Sequence, residues 1–283
     1  MDNSLFTIQL ISSFLLGGIV VGFQAWLAEK VPDKFSGLVI SAPSTIVVNF
    51  FFLGLILTRE EFAQVLPLIP APLGISFGLI LSYIIAANFF SDFIKNKFIA
   101  IILSFLASLL IWSLSAFPLV LFKVSDLNFS MMIYISSVIF FQFFIINFKD
   151  SNLQTPEIQV TNTQIVTRAL FSGFMVMLTV LITKISGPTL GALMSMFPTA
   201  YLCLLIIIHY SRGSKILPNY FANCAIGSLA LIVYAVLAHY SFPKYGVIWG
   251  TATCFILSSL CSFLLAKFES KFKIFGNNTS TRS

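Results

Sequence analysis

Charge is what this chain has least of. Of its 283 residues, 9% are Asp, Glu, Lys or Arg, and only 10 are acidic. A soluble domain carries about 25% charged residues. No carboxylate lies in the middle of a long apolar run, which argues against a carboxylate-driven cation pump and against an enzyme built on paired acids. The sequence has no Gly-Lys-Ser/Thr phosphate loop, no Gly-x-Ser-x-Gly elbow and no His-Glu-x-x-His pair, so nucleotide hydrolysis, serine hydrolysis and zinc-protease chemistry lose their usual carriers. Its four cysteines, Cys203, Cys224, Cys254 and Cys261, all sit inside apolar segments with no CxxC pair. Neither a disulfide framework nor a metal site follows, and no cofactor is expected. The opening Met1-Asp2-Asn3 has no basic run before its apolar stretch, so that stretch reads as a retained transmembrane helix, not a signal peptide.

Apolar residues are abundant instead. They make up 58% of the chain, and the mean hydropathy is +0.98. Nine runs approach the roughly 20 residues that a helix needs to cross a bilayer: 5–27, 36–57, 66–90, 98–122, 129–148, 165–184, 189–210, 219–240 and 246–266. Lipid leaves exposed strand edges unsatisfied, and these runs do not alternate as barrel strands do, so the spans read as helices. The net charge of +6 falls in the short loops between spans. It therefore reads as a topology signal, and no nucleic-acid partner is expected. Four basic residues lie on the side of the N-terminus and twelve on the other, including Lys95, Lys97, Lys149, Arg212 and Lys215. The positive-inside rule then places the N-terminus outside and the C-terminus in the cytoplasm.

The chain also repeats itself. Residues 17–45 and 172–199 each open on a small pair, Gly17-Gly18 and Ser172-Gly173. Each passes a Lys-bearing turn, and each reaches a proline followed by a hydroxyl, Pro43-Ser44 and Pro198-Thr199. An odd number of crossings between like units turns the second upside down, a design common among secondary transporters. The expected fold is an all-α integral membrane protein with two inverted four-helix repeats joined by a connector helix (4+1+4). Residues 1–128 form the first repeat and 129–148 the connector. Residues 149–164 form a cytoplasmic linker, 165–266 the inverted second repeat and 267–283 a basic cytoplasmic tail.

A proline inside a spanning helix removes a backbone donor and frees a carbonyl. Span 2 starts inside and span 7 outside, so the two breaks flank the midplane. Ser41, Pro43, Ser44, Thr45 and Asn49 from the first repeat, with Ser195, Pro198, Thr199 and Tyr201 from the second, form the expected substrate-binding lining, with free carbonyls and hydroxyls. Gln24, Asn88, Gln142, Asn223 and Tyr234 are further intramembrane polar residues that want protein partners. His209 and His239 end their spans and read as interfacial. Gly74-x-x-x-Gly78 suits close helix packing.

The second repeat resembles the GlpM-like family of small four-helix bacterial inner-membrane proteins. The likeness rests on Leu190-Gly191-Ala192-Leu193-Met194-Ser195-Met196-Phe197-Pro198-Thr199, then His209-Tyr210 and the Arg212-Gly213 turn. It implies a bacterial inner-membrane location and a fused, duplicated version of that family. A looser resemblance, in the inverted four-helix plan, is to the small multidrug-resistance members of the drug/metabolite transporter superfamily. Their first-helix Glu has no counterpart in span 1. The function expected is transport or flipping of a small neutral or amphipathic molecule by alternating access, with the lipid bilayer and an unknown small-molecule substrate as partners and pairing with a second copy possible. The alternative is a structural or accessory subunit of an envelope polysaccharide or lipid assembly.

Overall fold

The computed structural model describes residues 3–30, 43–122, 124–150, 153, 161–222 and 224–277. Every described element is helical. In chain order they are α1 (Asn3–Lys30), α2 (Ser44–Ile56), α3 (Arg59–Val65), a 3-10 turn over Leu66–Leu68, α4 (Pro70–Phe93), α5 (Lys97–Leu121), α6 (Leu127–Asn147), α7 (Asn162–Ser186), α8 (Pro188–Ser195), α9 (Thr199–Arg212), α10 (Leu217–Phe221) and α11 (Cys224–Asn277). Local sequence sets the ends. Thr58 and Glu61 close a capping box on α3, and Thr161 with Gln164 does the same for α7. Asn96 caps α5 and Asp126 caps α6 through their side-chain oxygens. Gly187, at φ 89°, both ends α7 and starts α8, a backbone state that a side chain resists.

Among the described residues six helices are long and apolar enough to cross a membrane, and a seventh results if α8 and α9, bent by 42°, form one broken span. The protein is a multi-pass membrane protein by this measure. The nine expected runs differ from that number for two physical reasons. The helical part of 36–57 that is described is only the 13-residue α2, about 20 Å long, and residues 36–42 lie outside the described residues. The last two runs are continuous in helix α11, but Gly246 breaks it with φ 74° and ψ −177°. A Cβ placed on Gly250 would lie 3.2 Å from the Cα of Phe242. Eight residues of unbroken helix would separate them by about 12 Å, so the chain folds back at Gly246. The final helix also runs to Asn277, beyond the expected end at 266. Most of the expected linker, 151–152 and 154–160, lies outside the described residues. Its start is pinned, because Asn219 bonds the backbone of Asp150 and Leu153.

The innermost helix is α4. Of its most apolar stretch 72% is buried, against 17–33% for the other long helices. It packs on α5 and α6, and Gly74 and Gly78 face Tyr134 and Phe141 of α6. The outer helices turn large apolar side chains outward, among them Ile8, Ile19, Phe122, Ile248 and Trp249. Such a belt suits lipid and would be an aggregation hazard in water.

The small pairs that open the two sequence repeats meet in space. A Cβ on Gly173 would lie 2.5 Å from the carbonyl oxygen of Phe14, and one on Gly18 would lie 3.1 Å from that of Ala169. Partners descend in α7 as they ascend in α1: Phe14 meets Gly173, while Gly18 and Gly22 meet Ala169. The two helices therefore run antiparallel at close approach, and the contact Phe14–Gly173 recurs as Ala169–Gly18 when each residue is advanced or set back by 155. Gly173→Ala puts a methyl group into backbone. The expected cost is about 1–3 kcal/mol, read as a lowered melting temperature in detergent. Gly227→Ala, where the new methyl group meets only the Tyr201 hydroxyl at 3.5 Å, is expected to leave melting unchanged or raise it.

Candidate functional site

Two buried prolines start half-length helices at matching places. Pro43 precedes α2 with φ −78° and ψ 54°, and Pro198 precedes α9 with φ −78° and ψ 58°. Each carbonyl accepts the first helical bond beyond it, from Val47 N at 3.1 Å and from Leu202 N at 2.9 Å. Neither helix start has a side-chain cap. Ser44 and Thr199, 155 residues apart, are both buried. The Ser44 hydroxyl donates to the Gln24 side-chain oxygen of α1, and that of Thr199 turns back to the Phe197 carbonyl at 3.3 Å. Thr45 is half-buried. Ser41 lies outside the described residues, as does Asn223.

The break between α8 and α9 is the better defined centre. The amide nitrogen of Asn49, in α2, donates to the Ser195 carbonyl at 2.9 Å. The hydroxyl of Ser76, in α4, lies 3.1 Å from the Met196 carbonyl and 2.9 Å from the Pro72 carbonyl in its own helix. The Phe197 carbonyl accepts from Thr199 N at 2.7 Å. The Ser195 hydroxyl turns back to the Ala192 carbonyl at 2.6 Å. Trp112 of α5 meets the Phe197 ring edge-on, with centroids 5.1 Å apart. The Tyr201 hydroxyl donates to the Cys224 carbonyl at 3.3 Å, and its ring leans on Phe77 and Phe221.

The expected cradle of free carbonyls is therefore corrected for this break. Ser195, Met196 and Phe197 all have protein donors, because a carbonyl left bare in a lipid-surrounded interior costs several kcal/mol. One acceptor does stay unengaged. Asn49 is 3% exposed, and its side-chain oxygen has no hydrogen-bond partner. The Trp112 ring nitrogen is likewise buried without one.

The sequence singled out Asn49, Ser195, Pro198, Thr199 and Tyr201 of this centre but missed Ser76 and Trp112. Ser76 lies inside the Gly74-x-x-x-Gly78 stretch, whose packing signal held a usable hint. Gln142 proves to be a clamp: its side-chain nitrogen donates to the Ala222 carbonyl and its oxygen accepts from the Cys224 thiol at 3.2 Å. Together with the Tyr134–Ser228 bond at 2.7 Å it ties α6 to the last helices.

His209, in the last turn of α9, is 1% exposed. Its Nδ1 lies 3.2 Å from the Tyr83 hydroxyl and its Nε2 3.1 Å from the Ser91 hydroxyl. Tyr83 and Ser91 lie eight residues apart, on one face of α4, a spacing visible in the sequence but not used. Among the described residues no group of three His, Cys, Asp or Glu stands ready for a metal.

No family model, curated protein or solved structure matches this chain.

Tyr83→Phe removes the partner of a buried ring nitrogen. Leaving such a group unsatisfied costs about 1–3 kcal/mol, so the variant is expected to melt at lower temperature in detergent. Ser91→Ala is expected to cost less, since Ser91 is exposed and water replaces its hydroxyl. Equal melting of the wild type and Tyr83→Phe contradicts a structural role for the bond.

Proposed function

We propose that this protein is a transporter or flippase for a small neutral or amphipathic molecule, working by alternating access of two inverted halves. The observation that carries the reading is the pair of buried prolines, 155 residues apart, that start half-helices with backbone angles matching within a few degrees. Broken helices in the interior of a membrane protein are the usual sites of transport in inverted-repeat folds. Three further features support the arrangement. A long helix, a proline-led half-helix, a short helix and further long helical segments occur in both parts of the chain, with α8 added after the long helix of the second part, where the matching positions 33–40 of the first lie outside the described residues. The antiparallel contact of α1 and α7 has the form expected on a two-fold axis in the membrane plane. The chain reversal at Gly246 supports two crossings where α11 is continuous.

In this reading there are nine spans, with α6 as the connector and the repeats at 1–128 and 165–266. The charge split sets the N-terminus outside and the C-terminus in the cytoplasm. Contacts between loops agree on which groups share an end: Arg59 donates to the Pro243 carbonyl, while Lys97 lies over the Tyr210 ring at 5.6 Å. Membership of a duplicated GlpM-like line in a bacterial inner membrane rests on the Leu190 to Thr199 motif, His209-Tyr210 and the Arg212-Gly213 turn. The residues assigned to the pathway are Pro43, Ser44, Thr45 and Asn49 with Ser195, Pro198, Thr199 and Tyr201, together with Ser76 and Trp112.

A second reading, an accessory subunit of an envelope-polymer assembly, draws on one observation. The carbonyls of the α8–α9 break are satisfied from within the protein, as in a permanently packed kink. Reconstitution separates the two. Liposomes containing the purified protein are expected to move a radiolabelled neutral solute or a fluorescent phospholipid analogue. Pro43→Ala and Pro198→Ala are each expected to slow that flux at least tenfold while inserting normally. Unchanged flux in the double variant overturns the role of the breaks, and flux indistinguishable from empty liposomes across the panel favours the accessory reading.

A further inference from the structure

We propose that the break between α8 and α9 is a binding site for a desolvated monovalent cation, with Na+ as the natural occupant, built from neutral oxygens only. Its ligands are the carbonyls of Ser195 and Met196, the side-chain oxygen of Asn49 and the hydroxyl of Ser76. As a coupling site it rests on the transport reading, but as a binding site it stands alone.

Four observations converge. First, α8 ends at Ser195, so the negative end of a helix dipole is followed directly by the carbonyl of Met196, which lies outside the helix. Half-helix C-terminal ends and unwound carbonyls are where membrane transporters hold Na+. Second, the Asn49 amide is already seated there, its nitrogen 2.9 Å from the Ser195 carbonyl. Half a turn about its terminal torsion exchanges nitrogen for oxygen. That oxygen is the one acceptor of the cluster with no partner, on a residue 3% exposed. Third, Ser76 sits between the carbonyls of Met196 and Pro72. It has one proton to share between them, and turning that proton to Pro72 leaves a lone pair for the cation beside the Met196 carbonyl. The closed arrangement on view is thus the unloaded one, in which two protein donors stand where a positive charge would.

Fourth, the two halves are not alike at this point. The residue 155 positions after Asn49 is Leu204. A buried amide, costly in an apolar interior, therefore occurs at only one of the pair. The ligand set also fixes the class of ion. Without a carboxylate, four neutral oxygens offset the desolvation of one charge far better than of two, and dedicated divalent sites use acidic ligands. Among the described residues no acidic or His/Cys cluster competes.

The test uses the full-length protein in detergent with 22Na+ as the probe. The wild type is expected to retain 22Na+, displaced by unlabelled NaCl, and to melt higher in NaCl than in choline chloride of equal ionic strength. Asn49→Leu, which copies Leu204, is expected to raise the dissociation constant at least tenfold and to abolish the melting difference. Should Asn49→Leu not fold, Asn49→Asp carries the test, since a carboxylate at that place is expected to tighten 22Na+ binding at least threefold. Ser76→Ala is expected to weaken it. No specific 22Na+ retention by the wild type overturns the proposal, as does full retention in Asn49→Leu or an unchanged constant in Asn49→Asp. Retention without solute flux in liposomes supports the site and overturns the transport reading instead.

Discussion

The constraint on which this structure depends is that a bilayer supplies no hydrogen bonds. Each polar backbone group inside it must be satisfied by the protein. A straight helix does so alone, and most of this chain is straight helix. The exceptions cost free energy and are therefore informative. At the α8–α9 break three successive carbonyls, from Ser195 to Phe197, lose their regular partners. Asn49 comes from α2, Ser76 from α4, and Thr199 from the helix that follows. The surrounding helices are thus arranged partly by what one broken segment requires. The buried position of α4 follows, because its polar face answers the break through Ser76 and His209 through Tyr83 and Ser91.

A second constraint acts between α1 and α7. Without a hydrophobic drive between apolar helices in lipid, close association depends on small residues and backbone contact. Gly17, Gly18 and Gly22 pack closely on Val176, Ala169 and Gly173, and Gly173 sits so near the Phe14 carbonyl that a Cβ there would lie 2.5 Å from its oxygen. The same small pairs open both sequence repeats, so one local pattern serves as the repeat signature and as the glue between copies. Helix α6 adds further ties, to Gly74 and Gly78 of α4 and, through Gln142 and Tyr134, to the last helices.

Much of this was legible in the chain itself. The scarcity of charge and the long apolar runs announced membrane helices, and the paired small residues and prolines announced their most irregular places. Pro43 and Pro198, expected as breaks inside longer runs, each stand just before a helix start and are buried. What stayed hidden was pairing across elements. Nothing local to Asn49 says that its partner is a carbonyl 146 positions away, and Ser76 reads as an ordinary small residue in a Gly-rich stretch. His209 reads as a terminal residue because it is close to its helix end. Its burial is decided by α4, whose Tyr83 and Ser91 enclose it. Gln142 looks like any intramembrane amide until the gap between α10 and α11 gives it a carbonyl to clamp. At the C-terminus the two apolar runs are divided at Gly246, whose φ of 74° and ψ of −177° are not helical.

The central claim is that two inverted halves move relative to each other about the proline breaks. Pulsed electron paramagnetic resonance tests it most directly, on a background free of native cysteine, in lipid nanodiscs. One spin-label pair at Glu60 and Lys184 reports on the end that bears the N-terminus, and a second at Lys95 and Lys215 reports on the opposite end. The account predicts two populations in each distance distribution, with the populations shifting in opposite senses at the two ends when Na+ replaces choline. A single narrow distance at both ends, unchanged by the ion, contradicts it and leaves a rigid membrane scaffold.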